Sequence, residues 1–380
     1  MNQNSRRQLH VWLAVFGTVL AVLCLLTALL VYSVDPFFHY HAPRADLYYP
    51  FTNERYDSDG ILRHFDYDAV ITGTSMTECF RPSQLDALFN TRSVKVPSYG
   101  ASYHEISQRL RRGFRTHGIR MVVWGLDQDK MIRDPEWMRD DLGDYPYYLY
   151  DDNPFNDVKY LLNKEVLFEK VIPILENKRD GAAGGHDGFD DYVNWSEHVA
   201  YGPDEALEDF EDFTPADAAD LKALTPEEEQ MVRGNVDENV ASLAAAHPDT
   251  LFCLFLTPYS VVYWGQESHD GTLDRQLAAE RILLEELMPY ANVLVLSYNN
   301  CPEVIENLDN YRDALHYGGW INDRILEDFA TQSWCIRPEN LNEYLEEESH
   351  YLHSFDYTQL PLEKSGNGRQ NAMEEDHIWS

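Results

Sequence analysis

The apolar positions divide the chain into three regimes. From Val11 to Val34 the residues are almost wholly apolar on every face of a helix, with no charge among the 24. At 1.5 Å per residue that is about 36 Å of helix, more than the roughly 30 Å of a bilayer's hydrocarbon core. From Tyr67 onward, short apolar runs alternate with stretches of helical period. Tyr67–Thr72, Ser93–Val96, Arg120–Leu126, Thr250–Leu256 and Val293–Ser297 predict strands. Pro82–Phe89, Ser102–His117, Thr225–Ala245, Thr272–Met288, Gly319–Thr331 and Leu341–Leu352 predict helices. Thr225, Pro226 and Glu228 form a capping-box pattern.

Between about 129 and 224 the rhythm breaks into an aromatic and acidic stretch that includes Tyr145, Tyr160, Tyr192, Trp195 and Tyr201. It reads as an insertion lying over the core, either as plain cover or as the lining of a cleft. Within it, Gly181–Gly188 reads as a flexible loop. Asp187, Asp190 and Asp191 match no calcium-loop spacing and read as a solvated acidic loop.

Strands alternating with helices predict an α/β fold, a parallel sheet covered by helices on both faces. Its ligand site belongs at the carboxyl ends of the strands. The expected layout is a cytoplasmic N-terminus over 1–10, a transmembrane signal-anchor helix over 11–34, a juxtamembrane segment over 35–66 and the α/β domain over 67–335. An acidic tail over 336–380 follows, its end from 363 disordered.

Charge narrows the partners. With 65 acids against 30 bases the formal charge is −35, which excludes nucleic acid and suits an extracellular protein at an anionic envelope. Arg6 and Arg7 precede the apolar run and Asp35 follows it, so the positive-inside rule puts the N-terminus in the cytoplasm and the rest outside the cell membrane. An uncleaved anchor is favoured over a signal peptide: the run is long, and Val-Tyr-Ser-Val-Asp is a poor cleavage site. Cys79, Cys253, Cys301 and Cys335 lie beyond the span in no metal-ligand spacing. A disulfide and buried free thiols both remain open.

Two segments carry the candidate chemistry. Gly73-Thr74-Ser75 closes the first strand, and Asp313-Ala314-Leu315-His316 follows the last. Ser, Asp and His are the groups that activate a hydroxyl nucleophile near neutral pH. A spacing of three puts Asp313 and His316 on one face of a helical turn. Thr77 replaces the second Gly of a nucleophile elbow, which excludes the α/β-hydrolase pattern. No His-Glu-x-x-His is present, so neither a metal nor a cofactor is expected.

In order along the chain, these blocks resemble the SGNH (GDSL-like) hydrolase superfamily. Gly73-Thr74-Ser75 stands for Gly-Asp-Ser, Gly100 for the second-block Gly, and Asp313 with His316 for Asp-x-x-His. The third block, Gly-x-Asn-Asp, is here Gly125-Leu126-Asp127-Gln128 and lacks the Asn. The resemblance covers about 67–330 without the insertion and implies a three-layer, flavodoxin-like fold. With the anchor, it extends to membrane-anchored envelope acyl-transfer proteins of lipoteichoic acid D-alanylation and alginate O-acetylation. It implies a serine esterase or O-acyltransferase acting on an envelope glycan or teichoic acid, with a membrane acyl-donor protein as a partner. Ser75, His316 and Asp313 would be catalytic. Ser75, Gly100 and Gln128 would form the oxyanion hole. Tyr259, Tyr263, Trp264 and Trp320 are candidates for stacking on sugar. The alternative is a non-catalytic relative that binds a glycan or a biosynthetic partner.

Overall fold

A computed structural model describes residues 3–363 apart from 142, 144 and 211. The tail expected to be disordered lies, from 364 on, outside the described residues. Eight strands are present among them: β1 (Tyr48–Tyr49), β2 (Ala69–Thr72), β3 (Ser93–Lys95), β4 (Met121–Leu126), β5 (Gly185–His186), β6 (Leu251–Leu256), β7 (Val293–Leu296) and β8 (Cys335–Ile336).

The chain forms two compact units. One comprises residues 1–65 and 140–188, the other 66–139 and the chain from 189 onward. The stretch read as one insertion therefore divides between them. In the first unit the N-terminal helix runs from Gln3 to Val34, and Ser5–Val34 is long and apolar enough to cross a membrane. β1 and β5 pair in parallel, so Gly185–His186 is a strand rather than part of a flexible loop. Asp187 anchors it, accepting from the Tyr48 hydroxyl (2.6 Å) and the Phe51 N–H (2.9 Å). The juxtamembrane aromatics Phe37, Phe38, Tyr49 and Phe51 are buried within this unit.

The second unit is α/β, with one six-stranded sheet in the order β3-β2-β4-β6-β7-β8. Every neighbouring pair is parallel except β7–β8. The central parallel strands β4, β6 and β7 are continuous apolar runs because both of their faces are covered. From β2 the chain moves outward to β3, then turns back past β2 to β4, β6 and β7. Right-handed crossovers in opposite directions put the intervening helices on opposite faces. The contacts agree: the helices Tyr103–Thr116, Pro226–Val236 and Leu273–Leu287 form one group, and Pro82–Phe89 with Gly319–Thr331 another. Ala69, Ile71, Val123 and Phe255 face the second group in the main core.

The helix boundaries follow local chemistry. Ser102 with Glu105, and Thr225 with Glu228, form complete capping boxes. Pro82 opens its helix and left-handed Asn90 closes it. The tail expected from 336 is instead part of this unit. Cys335–Ile336 adds an antiparallel edge strand, and the helix Leu341–Ser354 buries Tyr344, Leu345 and Leu352. Its acidic composition hid an apolar stripe. Cys79, Cys253, Cys301 and Cys335 are free and buried.

Candidate active site

The strand order reverses between β2 and β4, and the carboxyl ends on either side of such a reversal frame a crevice. Ser75 lies just beyond β2, in a single 3-10 turn over Ser75–Thr77. Gly73 makes the turn possible. Its φ is +149°, and a Cβ there would come within 2.5 Å of the Thr77 side chain. Ser98, in the loop after β3, donates its N–H to the Gly73 carbonyl (2.9 Å), which ties the Gly100 turn to the serine turn. Gly100 has φ +60°, and the Arg139 guanidinium lies against it. The Ser75 N–H opens its turn and so has no partner within it.

The other two groups arrive from beyond β7. Asp313 and His316 do not share a helix face. They lie in a loop closed by the antiparallel bridge Tyr311–Tyr317 and by the Arg312 N–H on the His316 carbonyl (3.0 Å). Asp313 Oδ1 accepts the N–H groups of Leu315 (2.8 Å) and His316 (2.7 Å), an Asx turn that sequence spacing alone does not distinguish from a helical turn. The same carboxylate contacts His316 Nδ1 at 2.8 and 3.0 Å. His316 Nε2 lies 2.8 Å from Ser75 Oγ. The network assigns the ring proton to Nδ1, so Nε2 accepts from the serine. Burial raises the Asp313 carboxyl, but the His316 ring and the two backbone N–H groups outweigh it and hold it below its ordinary value.

A second carboxyl lies behind the serine. Asp127 accepts from Thr74 Oγ1, which is 2.9 Å from each of its oxygens, and from the Tyr259 hydroxyl (3.1 Å). Burial, then the charge of Asp129, push Asp127 up to about 7. Asp127, not Gln128, thus occupies the place beside Gly-Thr-Ser. The Gln128 amide is buried and donates to the Thr257 carbonyl (2.9 Å) and Asn299 Oδ1 (3.1 Å). It is committed to an interior network with Asn299, Glu280, Glu348 and Tyr344, which removes it as an oxyanion donor.

Two of the expected sugar-stacking aromatics are also corrected. Trp264 and Tyr259 are buried in the core, with no free ring face, because Ser260 caps a helix over Val261–His269 that packs inward. Trp320 remains 46% exposed, with its Nε1 on Asn310 Oδ1 (2.9 Å) and its ring 4.8 Å from that of Tyr201.

Trp195, from the stretch read as an insertion, was not singled out as a site residue. Its ring meets that of His316 edge-on (5.7 Å, 80°), and its Nε1 donates to Glu78 Oε2 (2.7 Å). The Arg312 guanidinium lies 5.2 Å from the Trp195 ring centre, and its Nε is 3.6 Å from Asp313. Its place in the aromatic stretch is the one signal for Trp195 in the sequence, and nothing there links it to His316, 121 residues on. Asp127 had a signal: it stands in the column of the missing Asn. Among the described residues, no group of three or more His, Cys, Asp or Glu could hold a metal ion. Compared with known protein families and with curated protein sequences, the chain matches none.

Proposed function

We propose that this chain is a membrane-anchored serine esterase or O-acyltransferase of the SGNH type. The observation that carries the reading is the continuous relay from Ser75 Oγ through His316 to Asp313, with distances of 2.8 and 2.8 Å. A nucleophile held by a base, which is held in turn by an orienting carboxylate, is the arrangement acyl transfer needs. The sheet supports the fold part of the proposal: renumbered along the chain, its parallel strands run 2-1-3-4-5, the flavodoxin-like order.

In this reading His316 Nε2 takes the Ser75 proton as Oγ attacks an ester carbonyl. The N–H groups of Ser75 and Gly100 receive the oxyanion. The protonated imidazole, steadied by Asp313, returns the proton to the departing alcohol. An acceptor hydroxyl, deprotonated by the same nitrogen, then attacks the acyl-serine and takes the acyl group, and the imidazole returns that proton to the departing Ser75 Oγ. Water in place of that hydroxyl gives hydrolysis. The apolar helix favours a substrate in the envelope, a glycan or teichoic acid reached from the outer face of the membrane with a membrane protein supplying the acyl group, and the −35 charge suits work at an anionic envelope without sticking to it.

The test is labelling of the detergent-solubilised full chain with a serine-reactive fluorophosphonate. Wild type should label at Ser75, and a folded Ser75→Ala protein should not. A folded wild type that stays unlabelled would refute the enzymatic reading and favour a glycan- or partner-binding protein.

A further inference from the structure

We propose that residues 155–170 form a second membrane contact that lies in the outer interface beside the anchor; this rests on the reading that helix 5–34 spans a bilayer. The helix itself marks the depth. Trp12 and Tyr32 are 20 residues apart, about 30 Å along the axis, so the two interfacial aromatics bracket a hydrocarbon core. From residue 5 to 23 the helix is exposed on all sides. Beyond that one stripe is covered: Cys24, Thr27 and Ala28 partly, Val31 and Val34 fully. The short helix Val158–Leu161 and the π-helical turn Val166–Val171, both in the same compact unit, pack on this helix. A stripe that begins at Cys24 starts about 12 Å along the axis below Tyr32, so the covering elements reach from the membrane surface into the outer acyl region.

Their outer side carries large apolar side chains among charged ones, with Lys159, Lys164, Glu165 and Glu169 exposed there too. Phe155 is 91% exposed, Phe168 63%, Val158 53% and Leu162 42%. Four large apolar side chains on one short stretch, continuous with a membrane helix, fit burial in the boundary between headgroups and acyl chains. The charge changes there too. Between 155 and 170 there are three Lys against three Asp and Glu, in a chain with 30 Lys and Arg against 65 Asp and Glu overall. Lys159 and Lys164 are exposed among the apolar residues, where their stems can lie in lipid with their ammonium groups at anionic headgroups. Such a contact would fix the first unit against the membrane plane rather than leave it to swivel on a single helix.

A photo-crosslinking phenylalanine analogue tests this in the full-length chain, reconstituted in vesicles of phosphatidylcholine with a minority of phosphatidylglycerol. It is placed singly at Phe155, Phe168, Leu20 or the exposed Leu221 of the α/β unit. Lipid adducts at 155 and 168 should approach those at 20 and exceed those at 221 by about tenfold. Adducts at 20 but only background at 155 and 168 would overturn the second contact and leave the anchor standing. Protein adducts from 155 in native membranes, without lipid adducts in vesicles, would assign the patch to a protein partner and overturn it equally. Background at 20 would refute the anchor and this inference together.

Discussion

Replacing Asp127 by Asn isolates one buried carboxyl whose proton couples the site to stability. Burial and the neighbouring charge of Asp129 push Asp127 up to about 7, against an unfolded value of about 3.9. With the folded pKa raised, the folded protein keeps a proton here that the unfolded chain has lost. The group's contribution is therefore intact at low pH, falls as pH rises from about 4 to about 7, and is constant above that. Between about pH 5 and about pH 8 the cost spans roughly two units at 1.36 kcal/mol each, or about 2–3 kcal/mol. Asn carries no charge and keeps one of the two acceptor oxygens. Its oxygen can accept from Thr74, while the Tyr259 hydroxyl turns to Asp129, already 3.1 Å away. Urea unfolding of the full chain in detergent at the two pH values should show the variant gaining that amount on wild type at the higher one. Asp57, Glu280 and Glu348 are also raised by burial, but they act alike in both proteins and cancel in the difference. Parallel pH dependences would refute the reasoning, because Asp127 would then not hold the proton.

Three further outcomes follow from the geometry. Asp313→Asn should leave the loop folded, since an amide oxygen can still accept the Leu315 and His316 N–H groups, yet favour the wrong His316 tautomer; fluorophosphonate labelling should slow about 10⁴-fold. Gly73→Ala should lower stability by about 3 kcal/mol through strain at φ +149° and contact with Thr77, measured by urea unfolding. Thr225→Ala should cost about 1 kcal/mol by removing one side of its capping box, with labelling unchanged.

Much of the fold and site was legible because it is written locally. Pro82–Phe89 and Gly319–Thr331 match their predicted helices residue for residue, since a starting Pro in one and apolar periodicity in both need no distant partner. Most of the parallel strands were readable as short apolar runs, the first of them bounded by Asp and Gly. Ser75, Asp313 and His316 stood out as residue types at telling spacings after predicted strands. Three other readings failed because burial is set by what packs from elsewhere. Tyr259 and Trp264 look the same in sequence whether they line a cleft or fill a core. Gln128 was as good an amide as any until Thr257 and Asn299 claimed it. The stretch from 336 read as a tail outside the α/β domain until the apolar stripe of its helix met the helix Leu273–Leu287.

The sequence by itself determined the apolar span, the alternation of strands and helices and the identity of the candidate triad, because each depends on neighbours within a few residues. Only the tertiary structure decided the strand order, the division of the aromatic stretch between two units, the Thr74–Asp127 clamp and the placement of Trp195 against His316. Those depend on which distant surfaces bury one another, and a side chain's partner 53 or 121 residues away leaves no periodic trace in the sequence around it.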